Sequence, residues 1–319
     1  MSVLAEVRAA SARVMARARS VRIDDRALAA LAGRLLADPP PPPAWDDVAH
    51  HVGTPASRLA FVVTLDAVNF GSGWFPKLRK RAGRSGYYTV AMGLKDRFDA
   101  QGPWSAAELA KLAPADLAAV CGQTLDDPDV AELMALFAQA LNDLGALLAA
   151  RYAGRFEGLV DAAGGSGARL VEILAEMPLY RDVSRYDDFA VPFYKRAQIT
   201  VADLAIAFAG EGPGRFDDLD ELTCFADNLV PHVLRREGVL AYAPGLAARI
   251  EAEELLVQGT PEEVEIRAAG VHAVERLVAA IRAGGGRTTA HEIDMALWHH
   301  GQRPEIKAHP RHRARCPYY

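Results

Sequence analysis

Two aspartates lie in apolar stretches where side-chain packing does not call for a charge. Asp227 interrupts the apolar run of residues 225–231, and Asp294 lies between Ile293 and Leu297 on a helical pattern. An unpaired buried charge is very costly, so each carboxylate must be hydrogen-bonded, paired or used in chemistry. A carboxylate in such surroundings can stabilise a developing positive charge or transfer a proton. Both aspartates are therefore candidate site residues.

Each aspartate also has a structural explanation. Asp227 can cap a helix, which aspartate does well, and this explanation has about the same weight as a site role. Asp294 lies too far into its helix to be the cap, so its alternative is a position that faces solvent. These short stretches alone leave both alternatives open.

A pair of cations stands at the head of an apolar helix. Lys195, Arg196 and Gln198 precede the apolar run of residues 199–204. Cations are disfavoured near a helix N-terminus, which weakens the interpretation of this pair as an ordinary solvent-facing helix start. Lys195 and Arg196 are therefore candidate contacts for an anion.

Signatures of metal and nucleotide-cofactor sites are missing from the sequence. It contains no phosphate-binding GxxxxGK[ST] loop, no HExxH and no GxSxG. The Gly-rich residues 164–167 do not follow a strand pattern and are interpreted as a plain loop. The C-terminal histidines fit no zinc spacing, and the three cysteines are far apart and form no CxxC pair. We expect no metal and no cofactor.

The charge balance argues against DNA or RNA as a partner. The formal net charge is −5 and the pI about 6.0, and the one basic run, residues 77–84, is short enough to be a solvated loop. The arginine-rich residues 1–20 lack the apolar core of a secretory signal. No window of about 18 consecutive apolar residues predicts a membrane span. We expect a soluble cytoplasmic protein, and the sequence leaves its oligomeric state open.

Helical periodicity predicts a mainly α fold with few short strands. We expect one domain over residues 1–319, with a helix or arm at 1–20 and a Pro-rich spacer at 38–44. Strands are predicted at residues 61–65 and 87–90, and a helix broken near Pro231 is predicted within residues 218–234. The remaining helices are predicted at residues 27–36, 105–112, 116–120, 130–152, 168–177, 195–208, 261–282 and 288–298.

Five segments in order, together with the C-terminus, resemble the queuosine salvage protein family. Single segments are weak signals, but their order and spacing run from about residue 20 to the end of the chain. The matching positions are residues 65–70, 193–199, 225–231 and 263–267, Asp294 with residues 297–298, and Pro310, His312, Arg313, Tyr318 and Tyr319.

The resemblance implies a fold akin to helix-hairpin-helix DNA glycosylases. It also implies hydrolysis of queuosine 5′-monophosphate to queuine and ribose 5-phosphate, with queuine salvaged for tRNA modification. The family's catalytic aspartate falls on Asp294, although Asp227 could exchange roles with it. The implied substrate contacts are His51, Asn69, Lys195, Arg196, Phe225, Ala226, Asp227, Met295 and His299. Met295 and His299 depart from the family, which often has an aromatic residue and an aspartate at these positions.

The chemistry of an N-glycoside agrees with these residue types. Its cleavage passes through an oxocarbenium-like transition state, which a carboxylate beside C1′ stabilises or attacks. A second carboxylate can accept from N1–H and the 2-amino group of the base, and a Lys or Arg can bind the 5′-phosphate. Two alternatives stay open: another nucleoside or DNA glycosylase, and a non-enzymatic queuine-binding module that would not need Asp294.

Overall fold

The computed structural model describes residues 2–319, and most of them are helical, which confirms the mainly α prediction. The resemblance to helix-hairpin-helix glycosylases stays a prediction. In chain order the helices are α1 Val3–Met15, α2 Asp25–Ala37, α3 Pro55–Ala67, α4 Gly86–Gln101, α5 Ala106–Leu109, α6 Pro114–Cys121, α7 Pro128–Arg151, α8 Phe156–Asp161, α9 Gly167–Leu174, α10 Lys195–Ala207, α11 Val230–Arg236, α12 Pro244–Glu251, α13 Pro261–Ala283, α14 Ala290–Gly301 and α15 Pro304–Lys307.

The described residues form two small antiparallel sheets. β1 (Val21–Ile23) pairs with β4 (Leu240–Tyr242), and β2 (Val183–Tyr186) pairs with β3 (Phe189–Pro192). The two predicted strands were wrong, because residues 61–65 lie in α3 and residues 87–90 lie in α4. Residues 61–65 are buried all round, and a continuous apolar run does not distinguish a buried helix from a strand.

Chain contacts divide the protein into two compact units with interleaved segments. Unit 1 comprises residues 1–43, 182–195 and 218–315, and unit 2 comprises residues 44–181, 196–217 and 316–319. The expected single domain over 1–319 stays a prediction. The Pro-rich spacer ends where unit 1 first passes into unit 2.

Unit 1 is built around the long helix α13. This helix packs against α1, α2, α11 and α14. Pro261 is in its first turn, where its missing N–H costs nothing. Pro231 likewise lies in the first turn of α11 and helps to start that helix. The prediction that the helix is broken near Pro231 was therefore wrong. Gly301 lets α14 approach α11, because an added Cβ would come within 2.8 Å of Leu229 Cγ.

Polar side chains of α13 are fully buried and bind distant segments of unit 1. The carboxylate of Glu265 accepts from the backbone N–H groups of Arg19, Ser20 and Val21 and from the Tyr186 hydroxyl, at 2.7–3.0 Å. It thereby attaches the chain after α1 to the core. A buried carboxylate with four donors is well compensated for its lost hydration.

Arg267 is another fully buried charged residue of α13. Its guanidinium binds Asp182 through two bonds of 2.9 and 2.6 Å and donates from Nε to the carbonyl of Ala226 at 2.9 Å. An i, i+4 ion pair with Glu263 is also present, at 3.9 Å, and both side chains are buried. Asp182 is therefore the closer partner.

Unit 2 has α7 at its centre, against α3, α5, α6 and α8. Among residues 2–319, α7 is the one helix with the length and apolar composition that a membrane span would also have. Half of its apolar window is buried inside the protein, so this composition is weak evidence for a span.

The Arg267–Asp182 pair yields a stability prediction. Asp182→Asn leaves the Arg267 charge buried with a neutral partner, and we expect the free energy of unfolding to fall by about 3–5 kcal/mol. Urea denaturation at neutral pH measures this. The matched control is Glu251→Gln, which removes an exposed partner of Arg235 and should cost at most about 1 kcal/mol. Equal, small losses in both variants would contradict the structural role of the pair.

Candidate functional site

Asp294 is held inside unit 1 by the start of α14. The Thr289 side chain accepts from the Glu292 N–H, and the Glu292 carboxylate accepts from the Thr289 N–H, so a capping box fixes the first turn. Asp294 follows in the next turn, and its exposed fraction is 3%. It therefore faces the interior, and the solvent-facing alternative does not hold.

One carboxylate oxygen of Asp294 has two donors from consecutive residues. Oδ1 accepts from the Phe225 backbone N–H at 2.9 Å and from the Cys224 thiol at 3.0 Å. Phe225 thus contributes its backbone, while its ring is buried. Within residues 2–319 no hydrogen bond is made by Oδ2, so the carboxylate is anchored on one side only.

Asp227 has a capping role. Its Oδ1 accepts from the N–H groups of Leu229 and Val230 at 2.8 and 2.9 Å, at the start of α11. Its other oxygen makes no hydrogen bond within the described part of the chain. The cap explanation is therefore right for one oxygen, and the second can still bind a ligand.

The two carboxylates act on each other electrostatically. Burial, and then the charge of Asp227, raise the pKa of Asp294 well above its usual range. Burial also raises the pKa of Asp227, against the opposing charges of Lys195 and Arg311 and its two backbone donors. Asp227 is thus the better stabilised anion of the two. Two carboxylates in such different surroundings are the usual arrangement of an acid–base or charge-stabilising site.

Lys195 is a buried cation of unit 1 whose charge acts on both carboxylates. Its side chain is buried, and its charge lowers the pKa of both Asp227 and Asp294. Its backbone N–H donates to Asp182 at 3.1 Å, which fixes the first residue of α10. Lys195 thus interacts electrostatically with both carboxylates, and its substrate role stays a prediction.

Arg311 is a cation that the sequence did not single out. Its Nε is buried without an acceptor within residues 2–319, and its charge lowers the pKa of Asp227. Burial lowers the pKa of Arg311 to about 10. The neighbouring His312 carbonyl accepts from Asn228 at 3.0 Å, which attaches this segment to the Asp227 loop. An arginine in an irregular C-terminal segment gives no periodicity by which a sequence could identify it.

The other predicted contacts are distributed over both units. Ala226 is buried in unit 1, where its carbonyl accepts from Arg267. Met295 is half-buried and His299 exposed, both on α14. Their substrate roles stay predictions.

Three predicted contacts lie in unit 2. His51 contacts Asp99 through Nδ1 at 2.5 Å and Ser57 through Nε2 at 2.9 Å. Asn69 donates to Asp66 at 3.3 Å. The Arg196 guanidinium donates to two backbone carbonyls and lies over two aromatic rings. These contacts account for His51 and Arg196 structurally, and their substrate roles also stay predictions.

Among residues 2–319, no group of three or more His, Cys, Asp or Glu side chains is placed to hold a metal ion. The donors to Asp294 are a backbone N–H and a thiol, and the charge of Lys195 also acts on it. The fold and site together define a mainly helical protein with a buried carboxylate pair suited to stabilising positive charge or moving a proton.

This chain belongs to the queuosine salvage protein family, whose family model matches residues 49–319. A Sphaerobacter thermophilus protein named queuosine 5′-phosphate N-glycosylase/hydrolase is 39% identical over 312 residues, or 96% of this chain and 95% of that protein. A Dictyostelium discoideum protein of the same name is 31% identical over 81% of this chain and 77% of its own length. A Mus musculus protein so named is 34% identical over 56% of each chain.

The raised pKa of Asp294 yields a prediction about stability. Folding raises the pKa of Asp294, so its carboxyl stabilises the fold below the ordinary value of 3.8, and this contribution is lost as pH rises through the folded pKa. Asp294→Asn keeps an acceptor oxygen for Phe225 but cannot ionise. We expect this variant to unfold at the same temperature as the parent or higher at about pH 8, with a smaller difference at about pH 4.

Thermal unfolding followed by circular dichroism at both pH values checks this expectation. Asp182→Asn is the contrasting variant, because its carboxylate is paired with Arg267 and its loss should destabilise. A large loss of stability in Asp294→Asn at the higher pH would mean that the ionised carboxylate is structural.

Proposed function

We propose that this chain hydrolyses the N-glycosidic bond of queuosine 5′-monophosphate, in the cytoplasm, to give queuine for tRNA modification and ribose 5-phosphate. The observation that carries the proposal is the 39% identity, over nearly the whole of both chains, to a protein named for this reaction. The buried carboxylate pair in unit 1 is the arrangement that such a reaction needs.

In this proposal Asp294 acts at C1′ of the ribose. As the bond to the base lengthens, positive charge develops on the sugar and is stabilised by a nearby carboxylate, which can also attack it. Ionised Asp294 is destabilised by burial and by Asp227. A cation that forms beside it relieves that destabilisation in the transition state, which is where stabilisation accelerates a reaction.

Asp227 is proposed to bind the base. Its free oxygen can accept from N1–H and the 2-amino group, which are the donors of a 7-deazaguanine. The base has no N7 for the enzyme to protonate, so the carboxylates, water and binding energy from remote groups must supply the catalysis. The Asp227 loop also contains Phe225, which binds Asp294 through its N–H. Base and sugar contacts would thus be made by neighbouring residues.

The 5′-phosphate is proposed to meet Lys195 and Arg311. Both are cations whose charge reaches Asp227. Charge-assisted hydrogen bonds from such groups are the usual way to bind phosphate. Arg311 supports this proposal because the protein supplies no acceptor for its buried Nε within residues 2–319.

Two other functions remain as alternatives that experiments can separate. A DNA glycosylase is disfavoured by the formal net charge of −5, since duplex binders usually present a basic face. A queuine-binding module without catalysis would bind the base and leave the nucleotide intact. Chromatographic detection of queuine and ribose 5-phosphate from the nucleotide distinguishes the proposed hydrolase from both.

Replacing Asp294 tests the proposed chemical step. Asp294→Asn should lower kcat by about 100-fold or more, because charge stabilisation in the transition state is lost. Queuine affinity, measured by calorimetry, should change little. Asp227→Asn is the companion variant, in which a donor replaces an acceptor facing the base, and queuine affinity should fall.

The two variants also reveal an exchange of roles. Near-parent turnover in Asp294→Asn, together with an inactive Asp227→Asn that still binds queuine, would place Asp227 at C1′. Parent-like queuine affinity in Asp227→Asn would by itself refute the base-binding role.

A comparison of two substrates tests the phosphate contacts. Lys195→Ala and Arg311→Ala should each lower kcat/KM about 10- to 100-fold for the monophosphate and much less for the unphosphorylated nucleoside, since each removes a charged hydrogen bond. Arg313→Ala is the matched control, because Arg313 is on the same segment but pairs with Glu253 at 3.2 Å. Equal losses on both substrates would indicate a structural or catalytic role for the residue replaced.

A further inference from the structure

Cys224 is in direct contact with the proposed catalytic carboxylate. Its side chain is fully buried, and its Sγ lies 3.0 Å from Oδ1 of Asp294. The same oxygen accepts from the Phe225 N–H at 2.9 Å. A buried cysteine usually behaves as a small apolar residue, but an apolar filler has no reason to share a carboxylate oxygen with a backbone donor.

The thiol stays protonated in this place. Burial, and then the charge of Asp294, raise the pKa of Cys224 well above its usual range. A protonated thiol is a weak donor and a thiolate is only an acceptor, so Cys224 donates its S–H to Asp294 and is not a nucleophile. Its contribution is made through the carboxylate that it touches.

A carboxylate needs such donors to keep one orientation. The last torsion of an aspartate side chain is broad and roughly two-fold, so packing alone leaves the plane of the two oxygens poorly defined. Asp294 is a residue of α14, and the Cys224 thiol and the Phe225 N–H both donate to its Oδ1. Fixing Oδ1 from two directions also fixes Oδ2.

We infer that the Cys224 thiol is a positioning residue, which together with the Phe225 N–H anchors Oδ1 of Asp294 and leaves Oδ2 as the oxygen that faces C1′. The inference rests on the proposed role of Asp294 in the glycosidic step. It adds a residue outside the set of candidate substrate contacts, and it assigns different tasks to the two oxygens of one carboxylate.

The hydrogen bond has an electrostatic consequence that activity measurements can detect. The charged groups that act on Asp294 are Asp227, in the loop before α11, and Lys195, at the start of α10. Against the raising effects of burial and Asp227, the Cys224 donor lowers the pKa of Asp294. Loss of the donor should therefore raise that pKa. As the pH is lowered, a reaction that needs ionised Asp294 would then begin to lose rate at a higher pH than in the parent.

The experiment compares Cys224→Ala with Cys224→Ser, which keeps a donor. We expect Cys224→Ala to lower kcat about 10-fold, as for a lost hydrogen bond to a charged group, with KM within about two-fold of the parent. The acid limb of its kcat–pH profile should move to higher pH. Cys224→Ser should retain most of the parent kcat, and its acid limb should move to lower pH, because a hydroxyl is a stronger donor than a thiol.

Cys121→Ala is the matched control, since Cys121 is also a buried free cysteine but lies in unit 2 and makes no hydrogen bond from its thiol within residues 2–319. It should leave both kcat and the pH profile unchanged. Thermal unfolding of all three variants shows whether they fold. If Cys224→Ala does not fold, Cys224→Ser decides. An acid limb at lower pH than that of Cys121→Ala supports the positioning role, and an unmoved acid limb rejects it.

Three outcomes would overturn the inference, and each rejects a different part of it. A parent-like Cys224→Ala beside an inactive Asp294→Asn rejects the positioning role of Cys224 alone. Near-parent turnover in Asp294→Asn rejects the proposed chemistry and the inference together. Equal losses of kcat in Cys224→Ala and Cys224→Ser, with unmoved acid limbs, would show that the thiol only fills space.

Discussion

The guanidinium of Arg267 organises the part of unit 1 in which the carboxylates lie. It is fully buried on α13, binds both oxygens of Asp182 and donates to the Ala226 carbonyl. Asp182 in turn accepts from the backbone of Lys195. One buried cation therefore holds the loop that contains Asp227 and the residue that begins α10. It thereby gives two segments distant in sequence a common anchor.

The buried charges of unit 1 differ in how well partners of opposite polarity compensate them. Arg267 and Glu265 are fully buried, yet each has several partners of opposite polarity, which makes their burial tolerable. Asp294 has two donors on one oxygen and an acidic neighbour. Asp294 is thus less well compensated than Arg267 and Glu265. The contrast supports a chemical role for Asp294.

The sequence predicted what periodicity and local chemistry determine. Helix bounds on α2, α7, α10 and α13 agree with the structure within a few residues, because amphipathic spacing and proline positions are local signals. The strand predicted at residues 61–65 failed because the buried part of α3 has a nearly continuous apolar run that also fits a strand. The short strands β1 and β4 depend on pairing between residues 21–23 and 240–242, which no local pattern records.

In the candidate site, too, residues with a local sequence signal were predicted and residues that depend on distant contacts were not. Asp227 and Asp294 were identified from sequence because a charge in an apolar run is conspicuous. Cys224 was not, since its residue type is compatible with an apolar core and only the 3.0 Å contact distinguishes it. Arg311 was not either, because its significance depends on the bond between Asn228 and His312 that places its segment beside Asp227.

The electrostatics of the pair also explain why one carboxylate can bind while the other reacts. Asp227 is stabilised as an anion by two backbone donors and two cations, so it can accept from a neutral base without changing its charge. Asp294 is destabilised as an anion, so in its proposed role it would interact more strongly with a developing cation than with a neutral ground state. A group already satisfied by its surroundings has little to gain from a transition state. The less compensated carboxylate is therefore the one suited to the glycosidic bond, and the better compensated one is suited to recognition.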